Sequence, residues 1–437
     1  MKDSTTMRMI PVASLVLSLF LLRFAFAEDF PSLQDFPSLQ EYPNDQSSFP
    51  MLSDEADVSS AELLQIDQGT TTPLINSFIA APEFAGGLIV VGSDMAMKIG
   101  GYVKADLIHD FDAIDSTDSF DTTRIPTSGP NRRNTRFHAR QSRLSFDTRW
   151  HVNGDVARAF VESDFFGGEP GSTANFRLRH AYGTLGRFTA GQTWTTFTDP
   201  AAVPLTLDFE GAVSNVNRRQ GLVRWEQPLF VDRLFFAVAV EDPRIIIEPP
   251  TLVDGEGRTE SPDFIARLRS QHHWGGLQGA FVLRRLGFQP TGEPIIDGTA
   301  WGFNFTGVAM LSQRTKGYFQ ITFGEGIGSY RGSPDVVATG PETAAILPVF
   351  GWMGGVRHEW TDRLTSNLTF SQLSLDDLPG QAPDNLRSTT YLAANIIANP
   401  YDRIFCGVEY LYGVRNDVSG ERGSAHRLQM SFGFYLQ

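Results

Sequence analysis

The sequence predicts an all-β chain: a sixteen-stranded antiparallel transmembrane β-barrel with one loop folded inward. Three observations carry that prediction. From about Met95 onward apolar and polar residues alternate with period two; sixteen such segments can be marked, an even total as single-chain barrels require; and the connections between them alternate short and long. A soluble β-sandwich has no reason to segregate its loop lengths in this way.

The barrel pattern is preceded by two other kinds of sequence. Residues 1–27 read as a secretory signal, with Lys2 and Arg8 at a basic start, apolar Ile10 to Leu22, and Ala25-Phe26-Ala27 as a small-x-small cleavage site. Residues 28–94 read as an acidic, proline-rich and mostly disordered periplasmic linker. Asp29-Phe-Pro-Ser-Leu-Gln34 is echoed at Asp35 to Gln40 and more loosely at Glu41 to Gln46, and residues 56–66 could form a short helix. Of the formal charge of −14, residues 28–72 contribute −10, so the acidity belongs mostly to this segment. The single Cys406 excludes an internal disulfide, and a sheet closed on itself does without one. Beyond the first residues no apolar run is long enough for a membrane helix.

From 95 to 437 the strands are expected near 96–108, 137–149, 156–165, 176–185, 188–194, 221–227, 234–241 and 264–273. The other eight are expected near 277–286, 300–310, 316–325, 348–359, 364–374, 388–397, 403–414 and 425–437. Brief joins such as Val152-Asn-Gly-Asp155 and Trp274-Gly-Gly276 alternate with long ones at 109–136, 166–175, 195–220, 242–263, 287–299, 326–347, 375–387 and 415–424. The short turns and both barrel ends are expected on the periplasmic side. Trp150, Trp274, Trp301, Phe350, Trp352, Trp360 and Tyr401 stand near strand ends, as aromatic girdles at two membrane interfaces would.

The basic residues are 32 arginines and only 4 lysines. A guanidinium stays charged and grips carboxylate or phosphate at two points, which suits anion recognition. By alternation Arg143, Arg158, Arg177, Arg179, Arg224, Arg267, Arg269 and Arg357 point into the lumen, because a charge facing lipid at mid-depth costs about 2–4 kcal/mol. Acids share that face, notably Asp106, Asp147, Glu162, Asp164, Glu226, Glu359 and Glu409; opposed charges could orient a solute, or could merely pair. His180 falls on the lipid side by the same count. The 195–220 connection is too apolar for a solvated loop and is read as a constriction folded into the barrel, carrying Asp199, Asp208, Glu210, Arg218 and Arg219.

Enzyme signatures are missing: there is no His-Glu-x-x-His, Gly-x-Ser-x-Gly or phosphate-loop motif. His272 and His273 are adjacent in a strand and point to opposite faces, so they cannot share a metal, and Gly324-Glu-Gly-Ile-Gly328 opens a barrel loop rather than a helix. No metal, cofactor or nucleic-acid partner is expected.

Ala139-Arg-Gln-Ser-Arg-Leu-Ser-Phe146, Val161-Glu-Ser-Asp-Phe-Phe-Gly167, Phe176-Arg-Leu-Arg-His-Ala-Tyr182 and Gly191-Gln-Thr-Trp-Thr-Thr-Phe-Thr-Asp-Pro200 resemble the DcaP-like trimeric porins through about residues 96–230. The resemblance implies a sixteen-stranded homotrimer in the bacterial outer membrane that passes small anionic compounds such as dicarboxylates. Arginines would line its constriction, and the motifs carry this over to Arg140, Arg143, Arg177 and Arg179. Two features depart from the family: an acidic proline-rich segment stands where a coiled coil is expected, and Gln437 rather than an aromatic residue comes last.

The expected function is thus passive diffusion of small anions past inward arginines, with outer-membrane lipid around the barrel. The alternatives are a plugged structural barrel tethering the envelope and a secreted soluble all-β carbohydrate-active protein.

Overall fold

The computed structural model describes residues 95–436 apart from 169–173, 230–232, 249–253 and 341–342, together with the backbone of Leu88–Val91. The expected signal at 1–27 lies outside the described residues, and so does the linker at 28–94 except for Leu88–Val91. That stretch pairs antiparallel with the first residues of the barrel, from Leu88 opposite Ile99 to Val91 opposite Ala96.

Sixteen strands follow. They are β1 (Met95–Asp110), β2 in two pieces (Asn134–His138 and Arg143–Val152), β3 (Asp155–Gly167), β4 (Asn175–Leu185), β5 (Phe188–Trp194), β6 (Arg219–Pro228), β7 (Leu234–Glu241) and β8 (Asp263–His272). The second half comprises β9 (Gly275–Pro290), β10 (Ile296–Ser312), β11 (Thr315–Glu325), β12 (Pro348–Thr361), β13 (Leu364–Leu375), β14 (Leu386–Tyr401), β15 (Ile404–Asp417) and β16 (Arg422–Tyr435). Each pairs antiparallel with its neighbours in sequence, and β1 pairs with β16 from Tyr102 opposite Tyr435 to Asp110 opposite Arg427. The sheet is therefore closed and exposes no edge along that seam.

The pleat sorts the side chains in the sense required by lipid. Val103 and Leu107 on β1, Phe264 and Leu268 on β8, Phe303 and Phe305 on β10, and Met430 and Phe432 on β16 are exposed on the outer face. Between them Lys104, Asp106, Arg267, Asn304 and Ser431 are buried on the inner face. A water-soluble strand shows the opposite arrangement.

The short joins sit at one rim. Asn153 and Gly154 both have positive φ, 51° and 95°, which is the two-residue turn whose twist matches a hairpin and which Asn-Gly adopts readily. At the other rim the expected lengths change. The 287–299 connection shrinks to 291–295 and the 415–424 connection to 418–421, because β9 with β10 and β15 with β16 continue their ladders beyond the expected ends. Polar residues keep pairing there, so hydropathy alternation is a poor guide to where such strands stop. The strand expected at 137–149 is broken at residues 139–142. The Ser142 hydroxyl accepts the Lys104 N–H at 3.0 Å, so a side chain bridges the gap in the backbone ladder.

The apolar core inside the barrel comes from inward connections packed on the wall. Phe120 and Ile125 from the β1–β2 connection, Phe197, Val213 and Val216 from the β5–β6 connection, and Tyr330 from the β11–β12 connection belong to one buried cluster. Ile247–Glu248, Val336–Gly340 and Thr343–Ile346 add a small three-stranded sheet built from two long connections.

Candidate functional site in the barrel lumen

Residues 195–218 leave the end of β5, travel inside the barrel and return at β6, as the apolar content of the segment predicts. A buried loop must satisfy its backbone polar groups without water. Here the wall supplies the partners. Gln278 of β9 donates to the Thr198 carbonyl at 3.0 Å, and Asn304 of β10 to the Phe197 carbonyl at 2.7 Å. The Val216 N–H donates to Gln320 of β11 at 3.3 Å, while Asn367 of β13 and Asn395 of β14 both donate to the Leu205 carbonyl, at 2.6 and 2.8 Å. At the far side Gln429 of β16 and Lys104 of β1 converge on the Leu207 carbonyl, at 2.9 and 2.5 Å. An amide both donates and accepts, which is why Asn and Gln recur where the wall meets loop backbone. These residues escaped the sequence reading; the available signal was an uncharged amide at an inward position on one strand after another.

The loop acids serve this docking. Asp199 accepts the Thr306 hydroxyl at 2.6 Å, and Asp208 accepts the N–H groups of Phe120, Glu210 and Gly211. Burial raises the Asp208 carboxyl above its ordinary range despite the nearby Arg427. Glu210 rises further, to about 7, first through burial and then through the neighbouring Asp121 and Asp208, against the opposing pull of Arg331 and Arg177. Arg218 donates to the Ser329 hydroxyl at 2.9 Å. Arg219, expected in the loop, is instead the first residue of β6, its guanidinium 4.4 Å from the centre of the Trp194 ring.

The expected inward arginines fall into distinct groups. Arg140 lies in the break of β2, bonded to Asp118 at 2.5 Å and to the Gly167 carbonyl at 2.7 Å; it ties a connection to the wall. Arg143, Arg177 and Arg179 surround Glu162 and Asp164: Arg179 bonds both acids, at 2.5 and 2.9 Å, Arg177 bonds Asp164 at 2.6 Å, and Arg143 stands 3.9 Å from Glu162. Arg158 grips Asp147 at two points and donates to the Tyr182 hydroxyl.

A third group has unspent charge. Arg267 pairs with Glu226, whereas Arg224 of β6 and Arg269 of β8 make no ion pair or hydrogen bond among the described residues. Their strand neighbours Val223 and Leu268 face outward, so both guanidinium groups belong to the inner face. Between them β7 presents Ala239 opposite Arg224, Ala237 opposite Arg267 and Phe235 opposite Arg269.

His180 corrects the alternation count. The β3–β4 register passes from Glu162 opposite His180 to Ser163 opposite Leu178, leaving Arg179 as the extra residue of a bulge. The His180 ring is consequently buried against Phe160, Tyr182 and Trp194, and its Nδ1 meets the Thr193 hydroxyl at 3.0 Å.

Comparison with known proteins agrees with this architecture. Residues 89–246 match the family model described as the DcaP outer membrane protein, so the resemblance drawn from the motifs in that stretch is borne out. The outer membrane channel DcaP of Acinetobacter baumannii superposes with a TM-score of 0.71 at 19% identity, covering 80% of this chain and 100% of that one. The trimer form of OmpT from Vibrio cholerae gives 0.51 at 11% identity, covering 78% and 99%. An anion-selective porin from Comamonas acidovorans gives 0.51 at 10%, covering 78% and 100%. At these identities the structural likeness establishes the fold. No curated protein matches the sequence.

Proposed function

Starting from an outer-membrane barrel of porin type whose residues 89–246 match the DcaP family, we propose a passive channel that prefers small anions, dicarboxylates among them. The observation that carries the preference is the pair Arg224 and Arg269, inward guanidinium groups that make no ion pair among the described residues, Arg224 standing opposite the small Ala239 on β7. Such charge concentrates anions at a narrowing and repels cations, with no covalent step and no energy input. Arg143, Arg177 and Arg179 brace β2 to β4 through Glu162 and Asp164, three guanidinium groups on two carboxylates, so most of their charge is spent in pairing. The anion-selective Comamonas porin and the trimeric OmpT are consistent with this reading and with a homotrimer.

Reversal potentials across a planar bilayer under a salt gradient, with and without small dicarboxylates, test the proposal. An anion-signed potential at neutral pH supports it, and cation preference sinks it. A correctly folded protein that never conducts would favour the plugged structural barrel.

A further inference from the structure

The β11–β12 connection, residues 326–347, sends a short helical turn, Gly328–Arg331, into the lumen. There the turn meets both limbs of the constriction loop. On the outgoing limb the Tyr330 ring lies 5.2 Å from that of Phe197. On the returning limb Arg331 donates from Nε to the Val213 carbonyl at 2.5 Å, from Nη2 to the Ala212 carbonyl at 2.8 Å, and from Nη1 to the Asn217 side-chain oxygen at 2.9 Å. A planar fork of fixed donors defines position in a way that a single flexible contact does not. The turn is itself rooted at the long-connection rim. Asp335 accepts the Ser329 N–H at 2.9 Å and pairs at 3.0 Å with Arg284 of β9, which also pairs with Asp263 of β8 at 2.9 Å.

We propose that the Gly328–Arg331 turn is a clip that sets the constriction, and that Arg331 is its positioning residue. The wall amides hold the loop against the barrel; Arg331 holds it from the lumen side, through an element anchored on the outer-rim connection. Movement of residues 326–347 is therefore transmitted to the 212–217 limb. Burial lowers the Arg331 guanidinium to about 10, which still leaves it charged at neutral pH, with Glu210 and Asp121 as its nearby acids.

This inference rests on the channel reading above, and single-channel recording separates the two. A folded wild-type protein that fails to conduct removes the channel reading. With a conducting wild type, Arg331→Ala is expected to raise open-channel current noise several-fold and to change the conductance, Arg331→Lys to restore part of the quiet state, and Asn217→Ala to give a smaller effect in the same direction. Asp335→Asn, which does not touch the constriction loop, is expected to reproduce the noise of Arg331→Ala. Heat-modifiable mobility on a denaturing gel checks that each barrel has folded, and should match wild type. Should Arg331→Ala not fold, Asn217→Ala and Asp335→Asn carry the test. Wild-type noise and conductance in the folded variants would overturn the proposal, as would a silent Asp335→Asn beside an active Arg331→Ala.

Discussion

Asp208 and Glu409 meet inside the barrel: the Asp208 N–H donates to the Glu409 carboxylate at 2.7 Å. The other carboxylate oxygen accepts the Leu207 N–H at 3.0 Å, so one side chain of β15 closes two backbone donors at the far reach of the constriction loop. Both acids are buried. A buried donor left without a partner costs about 1–3 kcal/mol. Glu409→Ala should therefore loosen the loop while the barrel remains intact, seen as faster limited proteolysis within 195–218 and noisier current. Cleavage at the wild-type rate would contradict the docking role.

Charge at the constriction should change with pH. Glu210 is raised from an ordinary 4.5 to about 7. A carboxyl raised in the folded loop favours docking most fully below its unfolded value, and that contribution is lost as pH rises through about 7. The same titration adds a negative charge to the loop. Anion preference should thus decline as pH passes through about 7, and Glu210→Gln should flatten the curve. An unchanged pH profile in that variant would place the titration elsewhere.

Arg224 and Arg269 carry the proposed selectivity, so Arg224→Gln with Arg269→Gln should bring the reversal potential toward zero. Arg158→Gln, which removes a guanidinium already gripped by Asp147, should move it less and cost more in folding. Equal shifts from both kinds of variant would mean that pairing does not distinguish the arginines electrically.

The outer face can be tested by charge. Leu268 is exposed midway along β8, and Leu268→Arg should destabilise the protein by about 2–4 kcal/mol in bilayers. Denaturant titration in lipid vesicles measures this. A neutral effect would indicate that this part of the wall does not face hydrocarbon.

Much of the barrel was legible in one dimension because its cause is local. Alternation follows from the pleat, so Val103, Lys104, Phe264 and Arg267 could be assigned to their faces by counting. The Asn153-Gly154 turn followed likewise from its own φ preferences. Counting failed at His180, where the Arg179 bulge shifts the phase by one residue, and at the ends of β9, β10, β15 and β16, where backbone pairing outlasts hydropathy.

The sequence by itself determined the strand rhythm, the antiparallel succession of neighbouring strands and the supply of inward arginines, since each depends on residues close together in the chain. Which arginines remain unspent was decided only by tertiary structure. Arg177 finds Asp164 across a strand pair and Arg331 finds Val213 from another connection, while Arg224 and Arg269 find neither. Pairing of charge depends on separations of a few ångströms between distant segments, and those arise only when the sheet closes and the loop is laid along its inner wall.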